Sequence, residues 1–181
     1  MPKYAAFLRA INIGGRRITN DDLRTSFEAI GFNEVSVWRA SGNVIFAAGG
    51  RSSPAALTKR IDEGLSRELG YEVVTFLRTA DEVRGIAEHE PFDPAHVRGS
   101  HGRLQLALLL DRPTTAARSE VLAFATDDDR LAFGDRELYW LPSGGFAESE
   151  LDRNRLAKVL GPMTFRTKNV LEEIARKHFA E

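Results

Sequence analysis

The sequence predicts an α+β protein built from two similar halves. Two observations carry this. Strand-like and helix-like segments alternate in the order strand, helix, strand, strand, helix, strand, helix, and that order then repeats. The two runs are separated by the Pro/Gly-rich stretch "PFDPAHVRGSHG", which has no periodicity. Residues 1–90 therefore form a first half, 91–102 a linker, and 103–181 a second half with a C-terminal helix.

The first half is argued element by element. "KYAAFLRA" is an apolar run of strand length. After a glycine loop, Thr19 is placed to cap a helix. Asp21 and Asp22 suit its positive end, Ile18 can staple onto Leu23, and Gly31 stops it. "EVSVWRA" and "NVIFAA" flank "SGN", the mark of a tight hairpin. Ser53 and Pro54 open a second helix with Leu57, Ile61, Leu65 and Leu69 on one face, closed by Gly70. "YEVVTFLR" is strand by its β-branched and aromatic content. "TADEVRGIAEHE" is a short helix with Thr79 as cap.

The second half follows the same order. "RLQLALLLD" is a strand and "TTAARSEVLAFAT" a helix. "RLAFGDRELYWL" is two strands around Gly134 and Asp135. "SELDRNRLAKVLG" is a helix capped by Ser149. "MTFRT" is a strand, and in "NVLEEIARKHFA" Asn169 and Glu172 have capping-box spacing. Strand order βαββαβ is that of the ferredoxin-like layer, an antiparallel sheet with helices on one face. The expected architecture is two such layers in tandem.

The chain has 181 residues, 25 basic against 26 acidic, and no cysteine. Disulfides, thiolate metal sites and thiol catalysis are excluded. Neither half is a polycation, which argues against non-specific nucleic-acid binding by bulk charge. No run reaches the ~20 apolar residues of a membrane helix. A soluble cytoplasmic protein without a cofactor is expected.

"AFLRAINIGG", "LRTSFEAIGFNEVSVWRASGNVIF" and "MTFRTKNVLEEIA" resemble the bacterial domain-of-unknown-function family numbered 1697. The resemblance implies two ferredoxin-like halves and no assigned activity. Two departures stand out. Ala10 occupies a position where glycine is usual, and Arg39 with Ala40 occupies ground where glutamine is usual.

The candidate site with most chemistry is Gly14, Gly15, Arg16 and Arg17, flanked by Arg9 and Asn12. Loop glycines expose backbone N–H groups, a helix start follows, and guanidinium forks suit an oxyanion. The alternative is a loop in which glycine supplies geometry, Arg9 pairs with a helix carboxylate, and Asn12 ties the turn. No known nucleotide fingerprint is present. Arg166, Lys168 and Asn169 form a second basic strand-to-helix junction. Ser41, Gly42 and Asn43 offer a second polar site, or only a turn. In the predicted sheet the end of the first strand and this hairpin are placed at opposite ends, so the two N-terminal motifs are not expected to share a pocket.

Three other readings are weaker. Trp38, Tyr139 and Trp140 invite a base-stacking interpretation, but core packing accounts for them better. His89, His96 and His101 match no metal-ligand spacing, so no metal site is expected. No Gly-x-Ser-x-Gly elbow exists, and Ser143, Gly144 and Gly145 form a loop. The function that follows is a binding module for an anionic ligand, a nucleotide or short nucleic-acid segment. The alternatives are an enzyme on a phosphorylated or carboxylated metabolite in an interdomain cleft, and a protein-interaction or structural module such as a homodimer.

Overall fold

The computed structural model describes residues 1–12, 14–39, 42–100 and 104–180. In chain order the elements are β1 Lys3–Arg9, α1 Asn20–Ile30, β2 Asn33–Val37, β3 Asn43–Ala47, α2 Pro54–Leu69, β4 Val74–Thr79, α3 Ala80–Glu88 and α4 Pro94–Gly99. They continue with β5 Gln105–Leu109, α5 Thr115–Leu122, β6 Asp129–Phe133, β7 Glu137–Pro142, α6 Arg153–Leu160, β8 Met163–Thr167 and α7 Lys168–His178. The strands make two four-stranded antiparallel sheets, ordered β2-β3-β1-β4 and β6-β7-β5-β8. This is the expected α+β architecture, a βαββαβ layer made twice. Two compact units result, Met1–Arg84 with Ile174–Glu181, and Gly85–Glu173.

The first unit's core lies between α1, α2 and one sheet face. Leu23, Phe27, Leu57, Ile61 and Leu65 meet Ala6, Leu8, Val44 and Phe46, all buried. Phe46 is the hub: its ring centroid lies 4.4 Å from Phe32, 5.5 Å from Phe27 and 5.7 Å from Tyr4. The helices end as their residues require. Thr19 accepts from the Asp22 N–H, Ser53 from Ala56, and Gly31 and Gly70 close their helices in the left-handed conformation. The Ile18 side chain packs on the core that holds Leu23. Thr79 and Glu82 form a reciprocal capping box on α3.

The second unit repeats the scheme with Leu109, Val121, Leu138, Trp140, Leu156 and Met163. Its central strands, β5 and β7, are buried on both faces, so polar alternation is lost there. On the face away from Trp140, the Tyr139 hydroxyl donates to the Ile86 carbonyl and the ring meets His89 edge-on. Burial pushes the Tyr139 hydroxyl's pKa up, with Glu137 adding to the effect. Tyr139 and Trp140 are thus core residues, as packing predicted. Trp38 is half-buried, edge-on to His178 and beneath the Lys177 ammonium.

Local readings are corrected in three places. The stretch read as a linker without periodicity carries α4, with Asp93 accepting from the Ala95 N–H at its start. The cap of α6 is Asp152, not Ser149; the Ser149 hydroxyl donates to Asp129 instead. Asn169 is not a cap, because α7 begins at Lys168, directly after β8. A strand turning straight into a helix leaves no free residue to cap it. Among the described residues no helix is long and apolar enough to cross a membrane.

Candidate functional site

The register of the first sheet places the two N-terminal motifs together. β1 pairs with β3 so that Phe7 opposes Asn43, and the Leu8 N–H donates to the Gly42 carbonyl at 2.8 Å. The expectation that they lie at opposite ends is therefore wrong. The reason is topological. Helix α1 carries the chain back, so β2 runs parallel to β1 and ends where β1 ends. The turn into β3 must then lie beside the loop that leaves β1.

Backbone geometry at this end is unusual. Gly14, Gly15 and Gly42 have φ of 65°, 79° and 69°, and two non-glycine residues join them, Ala10 at 65° and Arg39 at 58°. Left-handed backbone costs roughly 1–2 kcal/mol for an ordinary residue. Glycine would carry no such cost at the position of Ala10. Gly42 is also sterically constrained: a Cβ there would meet Ile11 Cγ2 and Leu8 Cβ at 3.2 Å. Asn43 is fully buried and donates from Nδ2 to the Trp38 carbonyl at 2.9 Å, closing the hairpin. Ser41 lies outside the described residues.

The basic loop is anchored at both ends. Asn12 Oδ1 accepts from the Ile18 N–H at 3.1 Å, the turn-tying role weighed above. The Tyr71 hydroxyl donates to the Ile11 carbonyl at 3.0 Å. The Arg16 guanidinium lies over the Tyr71 ring, 4.4 Å from its centroid. Between these anchors Gly14 and Gly15 are exposed, with nothing near their Cβ positions. Arg16 and Arg17 line an open groove of about 490 Å³ with Ile18, Leu69 and Tyr71. Its other wall carries Asp22 and Glu68, each accepting from a hydroxyl: Thr19 to Asp22 at 2.7 Å and Ser26 to Glu68 at 2.7 Å. Arg9 and Arg17 are exposed and form no ion pair with a described residue, so the helix carboxylate expected beside Arg9 is not there.

The second basic junction has a different character. Arg166 donates from Nη1 to Thr164 Oγ1 at 2.9 Å and to the Phe165 carbonyl at 2.7 Å, and burial pushes its pKa down to about 10. The Lys168 ammonium is buried and paired, 3.1 Å from Glu172 Oε1 and 3.4 Å from Glu90 Oε1. Asn169 is exposed on the rim of a small cavity of about 210 Å³ that those three side chains share. The Lys168 charge is already neutralised by Glu90 and Glu172, whereas Arg17 and Arg9 have no ion pair among the described residues.

Sequence reasoning missed Tyr71. Nothing near "LGYEVV" marks it as the prop beneath a loop some 60 residues earlier, a separation only tertiary contact closes. Among the described residues no three His or carboxylate side chains group as a metal site; His101 lies outside them.

Comparison with known proteins places this geometry in context. No curated protein matches the sequence. Among solved structures the chain is similar to the conserved bacterial protein SP0830 from Streptococcus pneumoniae, at 17% identity, 99% coverage of both chains and a TM-score of 0.72. At that identity the likeness concerns the fold. The model of the family described as "Protein of unknown function (DUF1697)" matches residues 1–139, and the chain belongs to that family.

Proposed function

We propose that the first unit binds a small anionic ligand, a nucleotide, at the loop from Gly14 to Arg17. One observation supports this reading: Arg16 is held over the Tyr71 ring while its neighbour Arg17, on the same groove, has no ion-pair partner among the described residues. A held guanidinium beside an unengaged one is arranged to take a phosphate at little ordering cost. The exposed N–H groups of Gly14 and Gly15 add donors at the same loop.

Asp22 and Glu68 favour a nucleotide over a nucleic-acid strand. Two carboxylates on the opposite wall repel a polyanion that must run on past the groove. They accept hydrogen bonds from the ribose hydroxyls or base amino group of a single nucleotide. The test is calorimetric titration with ADP, ATP and a short single-stranded RNA. ADP or ATP should bind, and Arg16→Ala with Arg17→Ala should weaken binding at least tenfold, since one hydrogen bond to a charged group contributes about 1.5–3 kcal/mol. Unchanged affinity in the double variant would refute the assignment.

A further inference from the structure

The first unit takes in the end of α7, from Ile174 onward. Ile174 and Phe179 are buried there, at 0% and 3% exposure. Arg84, itself paired with Asp81, donates from Nη1 to the Phe179 carbonyl at 3.0 Å. Between these two apolar anchors stands His178, its ring edge-on to Trp38 with centroids 5.7 Å apart. Trp38 is a fixed wall: its N–H donates to the Asn43 carbonyl at 2.8 Å, and its own carbonyl accepts from Asn43 Nδ2 at 2.9 Å.

His178 is the weak point of this contact. Its Nε2 is sealed from solvent and has no hydrogen-bond partner among the described residues. A neutral imidazole bears that at small cost, with its proton on Nδ1 and a bare lone pair on Nε2. An imidazolium does not, because Nε2 then carries a buried N–H with no acceptor. The surrounding charges deepen the mismatch. Lys177 holds its ammonium over the Trp38 ring, 4.0 Å from the centroid, and Lys3 on β1 lies close enough to repel a proton on the imidazole. Glu34 on β2 pairs with Lys3 at 3.1 Å, so its charge is already spent. Burial lowers the His178 pKa below its usual 6.5, and Lys3 and Lys177 add to the effect.

We propose that His178 is a proton-operated latch: its neutral imidazole holds the end of α7 on the first unit, and protonation in mild acid releases it. The held state binds the proton less tightly than the released state. The contact is therefore at full strength above pH 6.5 and weakens as the pH falls below that value. Histidine is the side chain whose ordinary titration falls in this range, so the carboxylates and ammoniums around it keep their charges while it changes. Trp38 stays tied to Asn43 in both states, so the moving partner is the helix end. The anion groove plays no part in this contact, so the two proposals stand independently.

The test is hydrogen exchange of the full chain at pH 7.5 and pH 5.0, corrected for the intrinsic exchange rate, with the His178 ring followed by NMR over the same range. Amide protection across residues 174–179 should fall by about threefold or more at pH 5.0, and the ring should titrate with a midpoint below 6.5. His178→Phe keeps an aromatic ring against Trp38 without a titrating group, and its protection should be retained at pH 5.0. Lys3→Gln with Lys177→Gln, both exposed, is the second variant and leaves the histidine in place; its His178 midpoint should rise. Protection that does not change with pH overturns the proposal. So does an equal loss of protection in His178→Phe, or a His178 midpoint that stays where it is in the double lysine variant.

Discussion

Replacing Gly42 with alanine tests whether the hairpin and the basic loop form one construction. Two costs add. The φ of 69° puts alanine in the left-handed region, about 1–2 kcal/mol. The new methyl would sit 3.2 Å from both Ile11 Cγ2 and Leu8 Cβ and 3.4 Å from the Leu8 carbonyl. Two of these neighbours are backbone-proximal and cannot swing away, so overpacking adds about 1–3 kcal/mol. Gly50→Ala is the matched control: φ is 84°, but no atom lies within 4 Å of its Cβ position. It carries the conformational cost without the collision, and both variants gain equally from a stiffer unfolded chain. Gly42→Ala should therefore unfold at lower temperature than Gly50→Ala by roughly 2–12 °C, at about 2–4 °C per kcal/mol for a chain of this size. Thermal melts followed by circular dichroism measure this. Equal melting temperatures for the two variants would refute the close approach of the hairpin to the end of β1.

Other predictions follow from the same geometry. Ala10→Gly relieves a left-handed alanine at φ 65° and should raise stability by about 0.5–1 kcal/mol, strain relief exceeding the added freedom of the unfolded chain; a lower denaturation midpoint would contradict it. Phe46→Ala removes the hub of three aromatic contacts and should cost about 3–5 kcal/mol in chemical denaturation. Burial raises the Asp62 carboxyl above its usual 3.8, with Glu72 adding to the shift. Thr75 lies close enough to oppose it, although neither Asp62 Oδ1 nor Thr75 Oγ1 closes a hydrogen bond of good geometry. The folded state then holds this proton more tightly than the unfolded one, so Asp62 costs stability as pH rises above about 3.8. Asp62→Asn should melt higher than the parent at pH 7, and the two should converge near pH 3; a gap that persists at pH 3 would refute the assignment.

Much of the fold was legible because its signals are local. Strand and helix periods, and the caps Thr19, Ser53, Thr79, Gly31 and Gly70, act within a few residues of the chain. Repetition of one element order was enough to predict two antiparallel layers. Capping failed where a distant partner competed. Ser149 turns to Asp129, twenty positions away, so Asp152 caps α6. Asn169 falls inside α7 because β8 enters the helix without a pause.

The candidate sites divide along the same line. The sequence by itself determined which residues carry the chemistry: a glycine pair, two arginines, and a second basic junction at Arg166, Lys168 and Asn169. Only the tertiary structure decided which of them are unengaged. Lys168 is neutralised by Glu90 and Glu172, the first of them 78 positions distant, and Arg16 is held by Tyr71. Strand register, set by pairing between remote segments, brought the hairpin to the basic loop. A side chain's charge is written in its own residue, but its partner is chosen by the fold.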